Sequence, residues 1–244
     1  MEIIIPIIIV IFVIVLGLFK NRGGKQQYRI FEWTFNRNQK LLETVTKSDR
    51  GTYSERNLVI KLLKYGIPSQ AIFHDLYVRK PNENFSQIDL VVATTAGIIV
   101  FEVKDYSGWI FGKGYQEQWT QVLAYGSQKY RFYNPIMQNN KHIIELRNTQ
   151  KQFENIPFYS VIVFDGNCEL RDISFVPEGT FVVRVERVLE VLRIIQAKEP
   201  APYKDKYEVI RVLKEAVENG AHKETELQHI EKVTDMLGKH RVFD

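Results

Sequence analysis

Two apolar runs, residues 88–94 and 97–104, are separated only by Thr95 and Ala96, and both carry charge: Asp89 in the first, Glu102 and Lys104 in the second. Short apolar runs joined by Thr94-Thr95-Ala96-Gly97 predict two adjacent strands and a hairpin turn. With a two-residue loop, Thr94 opposes Gly97, and stepping outward brings Asp89 opposite Glu102, with Cβ atoms roughly 5 Å apart. Lys104 shares that face because strand side chains alternate with period two, while Ile99, Phe101 and Val103 supply core on the other. A three-residue loop would shift the register and put Asp89 on the wrong side. Isolated charges are costly to bury, so charges inside such strands are usually paired, metal-bound or catalytic.

The surroundings predict a mixed α/β domain. Residues 54–65 read as a helix ending at Gly66, with Pro68 just beyond and Leu58, Leu62 and Tyr65 as its buried stripe. Glu55 lies on the same face as that stripe. The bland alternative is a solvated first-turn glutamate that favours the helix dipole. Residues 71–78 form a third apolar run. Short segments follow around Trp109 and Trp119, then a helix is predicted over 120–132. Asn134-Pro135 opens another helix, reaching about Phe153, as a cap followed by proline at the first helical position. Strands are expected over 158–164 and 180–185, a helix over 186–196, and one or two charged helices over 204–237.

The ends bear on domain organisation. Residues 3–19 carry no charge and are almost wholly apolar, at the short limit for a bilayer-crossing helix. Glu2 precedes them, whereas Lys20, Arg22, Lys25 and Arg29 follow, which predicts an uncleaved single-pass anchor with its amino terminus outside and the rest cytoplasmic. The expected plan is an anchor over 1–20, a polar flexible linker over 21–47, a domain over 48–196 and a helical extension over 197–244. A net charge of +4 allows contact with nucleic acid or anionic lipid and establishes neither. Cys168 is the only cysteine, which excludes an intrachain disulfide and a multi-cysteine zinc site. The five histidines are scattered and form no HExxH spacing.

An Asp…Glu-x-Lys set on neighbouring strands suits metal-dependent phosphodiester cleavage. Asp89 and Glu102, with the Val103 carbonyl, would make a hard oxygen site for Mg²⁺. Lys104 would orient the attacking water or stabilise developing charge. Glu55 would complete the outer coordination or hold the lysine. The competing reading of Glu102 and Lys104 is an ordinary same-face pair on an exposed strand.

The order Ser54-Glu55, Gln87-Ile88-Asp89, Gly97 through Lys104, Ser107-Gly108, Trp119 and Asn134-Pro135-x-x-Gln138 resembles the NERD (nuclease-related) domain of the PD-(D/E)xK nuclease superfamily. The resemblance spans roughly residues 50–165. It implies a restriction-endonuclease-like mixed central sheet flanked by helices, with Glu55, Asp89, Glu102 and Lys104 as the nuclease-type positions and Mg²⁺ as the metal. It also implies a nucleic-acid partner, DNA first. Gln87 would add a contact beside Asp89, and Gln138 is a further auxiliary position. Asp105 stands where related sequences often carry asparagine. Gln121-x-x-x-Tyr125 resembles a helix motif of RecB-like nucleases that contacts the active site. Two functions are compatible with this pattern: a membrane-anchored nuclease, or a nuclease-fold module of little turnover that serves as a tethered scaffold. The pattern leaves oligomeric state open.

Overall fold

The computed structural model describes residues 22–80 and 84–221. The chain divides into two compact units, Met1–Thr44 and Val45–Asp244. The predicted span over 3–19 lies outside the described residues, and among those described no helix is long and apolar enough to cross a membrane.

In the first unit the expected flexible linker is instead a helix, α1 (Arg22–Leu42). Its sequence beyond Gly24 contains no proline and is rich in Lys, Gln, Arg and Leu, which favour helix, and the two glycines fall in its first turn. Trp33 and Phe35 are exposed on it, and the Arg37 guanidinium lies 5.2 Å from the Trp33 ring centre.

The second unit contains helices α2 (Tyr53–Tyr65), α3 (Pro135–Arg147), α4 (Val188–Gln196) and α5 (Lys206–Asn219). Its strands are β1 (Ile72–Arg79), β2 (Phe85–Thr94), β3 (Gly97–Asp105), β4 (Gly108–Lys113), β5 (Gln118–Leu123), β6 (Gln128–Tyr133), β7 (Phe158–Asp165), β8 (Cys168–Ser174) and β9 (Thr180–Arg184). These build two mixed sheets, one in the order β1-β2-β3-β7-β9 and one in the order β6-β5-β4-β8. Strands β1 to β3 are antiparallel, while β7 joins β3 and β9 joins β7 in parallel.

The two sheets share one bent ladder. Asp105 pairs with Asp165 and Gly108 with Cys168, the same offset on both sides of the break. The bend falls at Gly108 (φ 75°) and Gly166 (φ 74°), in the left-handed region that glycine occupies without penalty. A Cβ on Gly166 would meet Asp105 Oδ1 at 2.6 Å, so the bend also needs a bare backbone.

One face of the five-stranded sheet packs on α3 and α5. Ile98, Val100 and Val91 meet Ile143 and Leu146 of α3 and Val209, Val212 and Leu213 of α5 in one apolar cluster. Helix α5 is therefore part of this core rather than an extension of it; the predicted stretch beyond residue 221 lies outside the described residues. Ile99 and Phe101 alternate to the other face, where α2 contributes the fully buried Leu58, Val59 and Leu62. A second cluster joins the sheets: Trp119 of β5 stacks on Phe164 of β7, with ring centres 6.2 Å apart and planes 4° from parallel.

Three expectations fail locally. Residues 120–132 are not a helix but the end of β5, a turn and β6. Tyr125 (φ 54°) and Gly126 (φ 104°) reverse the chain there, and pairing with Phe132 on one sheet face buries Trp119 fully and Phe132 in part. Helix α3 ends at Arg147, and a 3₁₀ turn (Lys151–Asn155) completes the predicted stretch. Strand β8, polar and half exposed, went unpredicted because it lacks a hydrophobic period.

Candidate functional site

The β2–β3 hairpin has the two-residue loop: Thr94 pairs with Gly97, and the ladder runs outward to Leu90 opposite Phe101. Its next pair would be Asp89 and Glu102, and here the backbone ladder stops. Asp89 Oδ2 accepts the Val103 N–H at 2.8 Å, so a carboxylate takes the place of a strand carbonyl. Strand β1 is irregular at the same level. Its ladder passes from His74–Leu90 to Leu76–Ile88, and Asp75 between them sits at φ 56°. The Asp75 carboxylate accepts Arg50 Nε at 2.8 Å and Gln87 Nε2 at 2.8 Å. Gln87 thus braces the kink in β1 and makes its hydrogen bond to Asp75 rather than to Asp89.

Glu102 is 1% exposed, its carboxylate enclosed between two cations. Lys104 Nζ is 2.6 Å from Oε1, and His142 Nε2 of α3 is 3.5 Å from Oε2, which has no hydrogen-bond partner. Lys104 also donates to Gln138 Oε1 at 3.1 Å, which places Gln138 at the site rather than on an open surface. Burial alone would lower the Lys104 ammonium, but the charge and hydrogen bond of Glu102 outweigh it and hold it raised.

Behind Glu102 the charges continue. His142 Nδ1 lies 3.0 Å from Ser86 Oγ and 3.8 Å from Glu145 Oε2, and Lys80 Nζ lies 3.3 Å from Glu145 Oε1. Burial opposes the imidazolium, yet bonding to Glu102 and Glu145 pushes His142 up to about 9. Burial likewise opposes the Glu145 carboxylate, and His142, Ser86 and Lys80 pull it down to about 2.

Glu55 enters from the start of α2. Thr52 caps that helix by accepting the Glu55 N–H at 3.3 Å, and donates its hydroxyl to Glu55 Oε1 at 2.7 Å. This cap fixes the side chain inward: Glu55 is 5% exposed and not the solvated first-turn glutamate of the bland reading. Its Oε2 is 3.3 Å from His74 Nε2, while His74 Nδ1 is 3.0 Å from Thr46 Oγ1. Burial raises Glu55, but hydrogen bonds from His74 and Thr52 prevail and leave it lowered. Gly51 lies over this pair; a Cβ there would stand 2.5 Å from both Glu55 Oε2 and His74 Nε2.

Asp89 connects the two halves. Burial first, then the charges of Glu102 and Glu55, push its carboxyl well above the usual range, against the Val103 N–H and the Lys104 charge. Asp89 therefore feels both glutamates, Glu55 from the α2 side of the sheet and Glu102 from the α3 side. Glu55 Oε2 and Glu102 Oε2 are buried oxygens whose nearest donors are histidine nitrogens at 3.3 Å and 3.5 Å, too long for a full hydrogen bond. Mg²⁺ asks for only one or two carboxylates and keeps waters, so Asp89 and Glu102 are the side chains that would have to hold it. Among the described residues no three His, Cys, Asp or Glu side chains form a preassembled ion cage.

Gln121 is not on a helix. Its Nε2 donates to Ser107 O at 2.8 Å, securing the bend between the sheets, and Tyr125 is fully exposed, so the helix motif suggested by their spacing is absent. His74 and His142 were missed by sequence reasoning, because each meets its glutamate from a separate element. One available signal was a histidine inside the apolar run at 71–78. Asn134 caps α3 through Oδ1, and its Nδ2 donates to Gly114 O (3.0 Å) and Gln116 O (2.6 Å). Ser54 Oγ donates to Asp105 Oδ2 at 3.1 Å, tying α2 to the end of β3.

The second unit is thus a mixed α/β domain that gathers buried acids and a lysine where a central hairpin loses its ladder. Residues 50–165 match the model of the NERD family, the nuclease-related domain. It is also 30% identical over 125 residues to an uncharacterised protein of Bacillus anthracis, a match spanning 51% of this chain and 57% of that relative. No solved structure matches the chain.

Proposed function

We propose that this domain hydrolyses phosphodiester bonds in nucleic acid, DNA first, with Mg²⁺ as its metal. The observation that supports the reading is the buried Glu102–Lys104 pair beside Asp89, whose carboxylate holds the Val103 N–H at the point where the β2–β3 ladder ends. Asp89 and Glu102, with the Val103 carbonyl, would hold the ion. When bound, it would supply charge neutralisation for the phosphoryl oxygens and a water of lowered pKa. Lys104, kept protonated by Glu102, would stabilise charge developing on the phosphate, and Gln138 would limit its swing. Glu55 would hold the approach of the α2 amino terminus, fastened by Thr52 and His74.

Plasmid and labelled oligonucleotides incubated with the full-length chain and Mg²⁺ test this. Cleavage should vanish with EDTA and fall by at least about 10²-fold in Lys104→Ala and Glu102→Gln. Undiminished cleavage in both variants would remove the reading. One observation favours a second function, a tethered module with little turnover: both Glu102 oxygens already face cations, Lys104 and His142. Intact substrate across a range of divalent ions, with binding retained, would select it. The apolar run over 3–19 and the cations after it support a single-pass anchor that leaves this domain in the cytoplasm. Removal of residues 1–19 should release the protein from alkali-washed membranes.

A further inference from the structure

The four-stranded sheet has one face in the core and one face outside. Ile110, Trp119 and Leu170 point inward, in the cluster with Phe164. By strand alternation Trp109, Phe111 and Lys113 of β4, Lys129 and Arg131 of β6, and Arg171 of β8 point outward. Trp109 and Phe111 are only half-buried in the middle of that face. The Arg171 guanidinium lies 4.8 Å from the Trp109 ring centre, and Lys113 Nζ lies 5.9 Å from the ring centre of Phe175. Phe175 in turn meets Tyr115 edge-on at 5.3 Å. Two rings and a lysine of β4 therefore lie beside Arg171 of β8 and Phe175 just beyond it.

Two features separate this face from an ordinary solvated surface. Phe175 is 68% exposed and sits at φ 55°, a conformation that costs a bulky residue about 1–3 kcal/mol and is retained while presenting an apolar ring to water. The outward cations also exceed the outward acids. The acids on this face are Glu169, which pairs with Arg171, and Asp172, which lies opposite Phe111, whereas among the described residues no carboxylate pairs with Lys113, Lys129 or Arg131. Exposed rings with interleaved unpaired cations fit a ligand of flat bases on an anionic backbone. A duplex stacks its bases inward and offers no faces to these rings, so a single strand is the matching form. Trp109 follows Lys104 by five residues, so at most about 18 Å of chain separates this face from the candidate site.

We infer that the outer face of the β6-β5-β4-β8 sheet is a platform for single-stranded nucleic acid. The choice of nucleic acid as occupant rests on the nuclease reading, but binding here requires no turnover. Fluorescence anisotropy tests it with the full-length chain and a fluorescein-labelled oligothymidylate in EDTA, which separates binding from cleavage. An oligonucleotide of about 20 nucleotides exceeds the roughly 4–16 that one platform covers. The surface pair Lys129→Gln with Arg131→Gln should weaken binding about tenfold and reduce the log–log salt slope by about 1.4, two contacts' worth. Trp109→Ala should weaken binding by a similar factor. The inference is overturned if both variants bind like the parent, if a blunt duplex of equal length binds as tightly, or if the loss appears only toward phosphatidylserine vesicles. Absence of cleavage in Mg²⁺ alongside this binding pattern would count against the nuclease reading and leave the platform standing.

Discussion

At the scale of single residues, the site is governed by who neutralises whom. Against the cost of burial, His142 is raised to about 9 by Glu102 first and Glu145 second, and Glu145 is lowered to about 2 by His142, Ser86 and Lys80. The raised histidine contributes stability fully below about 6.5 and loses it as pH climbs through about 9; the lowered glutamate contributes above about 4.5 and loses it as pH falls through about 2. Their combined contribution, on the order of 2–3 kcal/mol, is therefore fullest between about pH 4.5 and 6.5. Urea denaturation of the parent and His142→Gln across pH should show the widest stability gap in that window, a gap that shrinks from about pH 6.5 upward and is lost above about pH 9. Gly51 offers a second test. Alanine there combines a φ of 64° with a Cβ 2.5 Å from Glu55 and His74, so Gly51→Ala should cost about 2–4 kcal/mol by thermal melting.

At the scale of elements, capping and bending decide where the side chains arrive. Thr52 closes the start of α2 and turns Glu55 inward with the same hydroxyl. Asn134 begins α3, the helix that brings Gln138 and His142 to Lys104 and Glu102, and its amide also holds the loop after β4. Asn134 is fully buried, so Asn134→Ala would remove a cap and orphan two carbonyls. A loss of about 2–4 kcal/mol is expected, readable as a lower urea midpoint with unchanged slope. The β5–β6 hairpin shows why its helical reading failed. Residues 120–132 have good helix formers, but Trp119 and Phe132 find buried partners only when paired across strands.

At the scale of the whole molecule, the second unit closes its core with its last described helix. Val209, Val212, Leu213 and Ala216 of α5 are buried in the cluster formed by β1, β2 and α3. Asn219 Nδ2 donates to Tyr77 O at 3.0 Å, and Arg50 Nη1 donates to Val217 O at 3.0 Å, so α5 is tied to β1 and to the segment before α2. Full burial of each such apolar side chain is worth about 1.5–3 kcal/mol, so losing α5 removes a sum comparable to a domain's entire stability. A chain ended at Lys204 should show no cooperative thermal transition, although it retains every residue of the candidate site.

What the sequence determined by itself was local: the β2–β3 hairpin and its register, the Gly66 and Asn134 helix boundaries, and the acids and lysine placed on adjacent strands. These depend on side-chain period and turn length, which a short stretch of chain contains in full. The tertiary structure alone decided which charges meet. His142 reaches Glu102, His74 reaches Glu55, and Gln87 turns to Asp75, because separate elements bring them within hydrogen-bonding distance. It also decided that α5 belongs to the core and that 120–132 forms strands, since burial depends on what lies opposite in space and no local pattern encodes that neighbour.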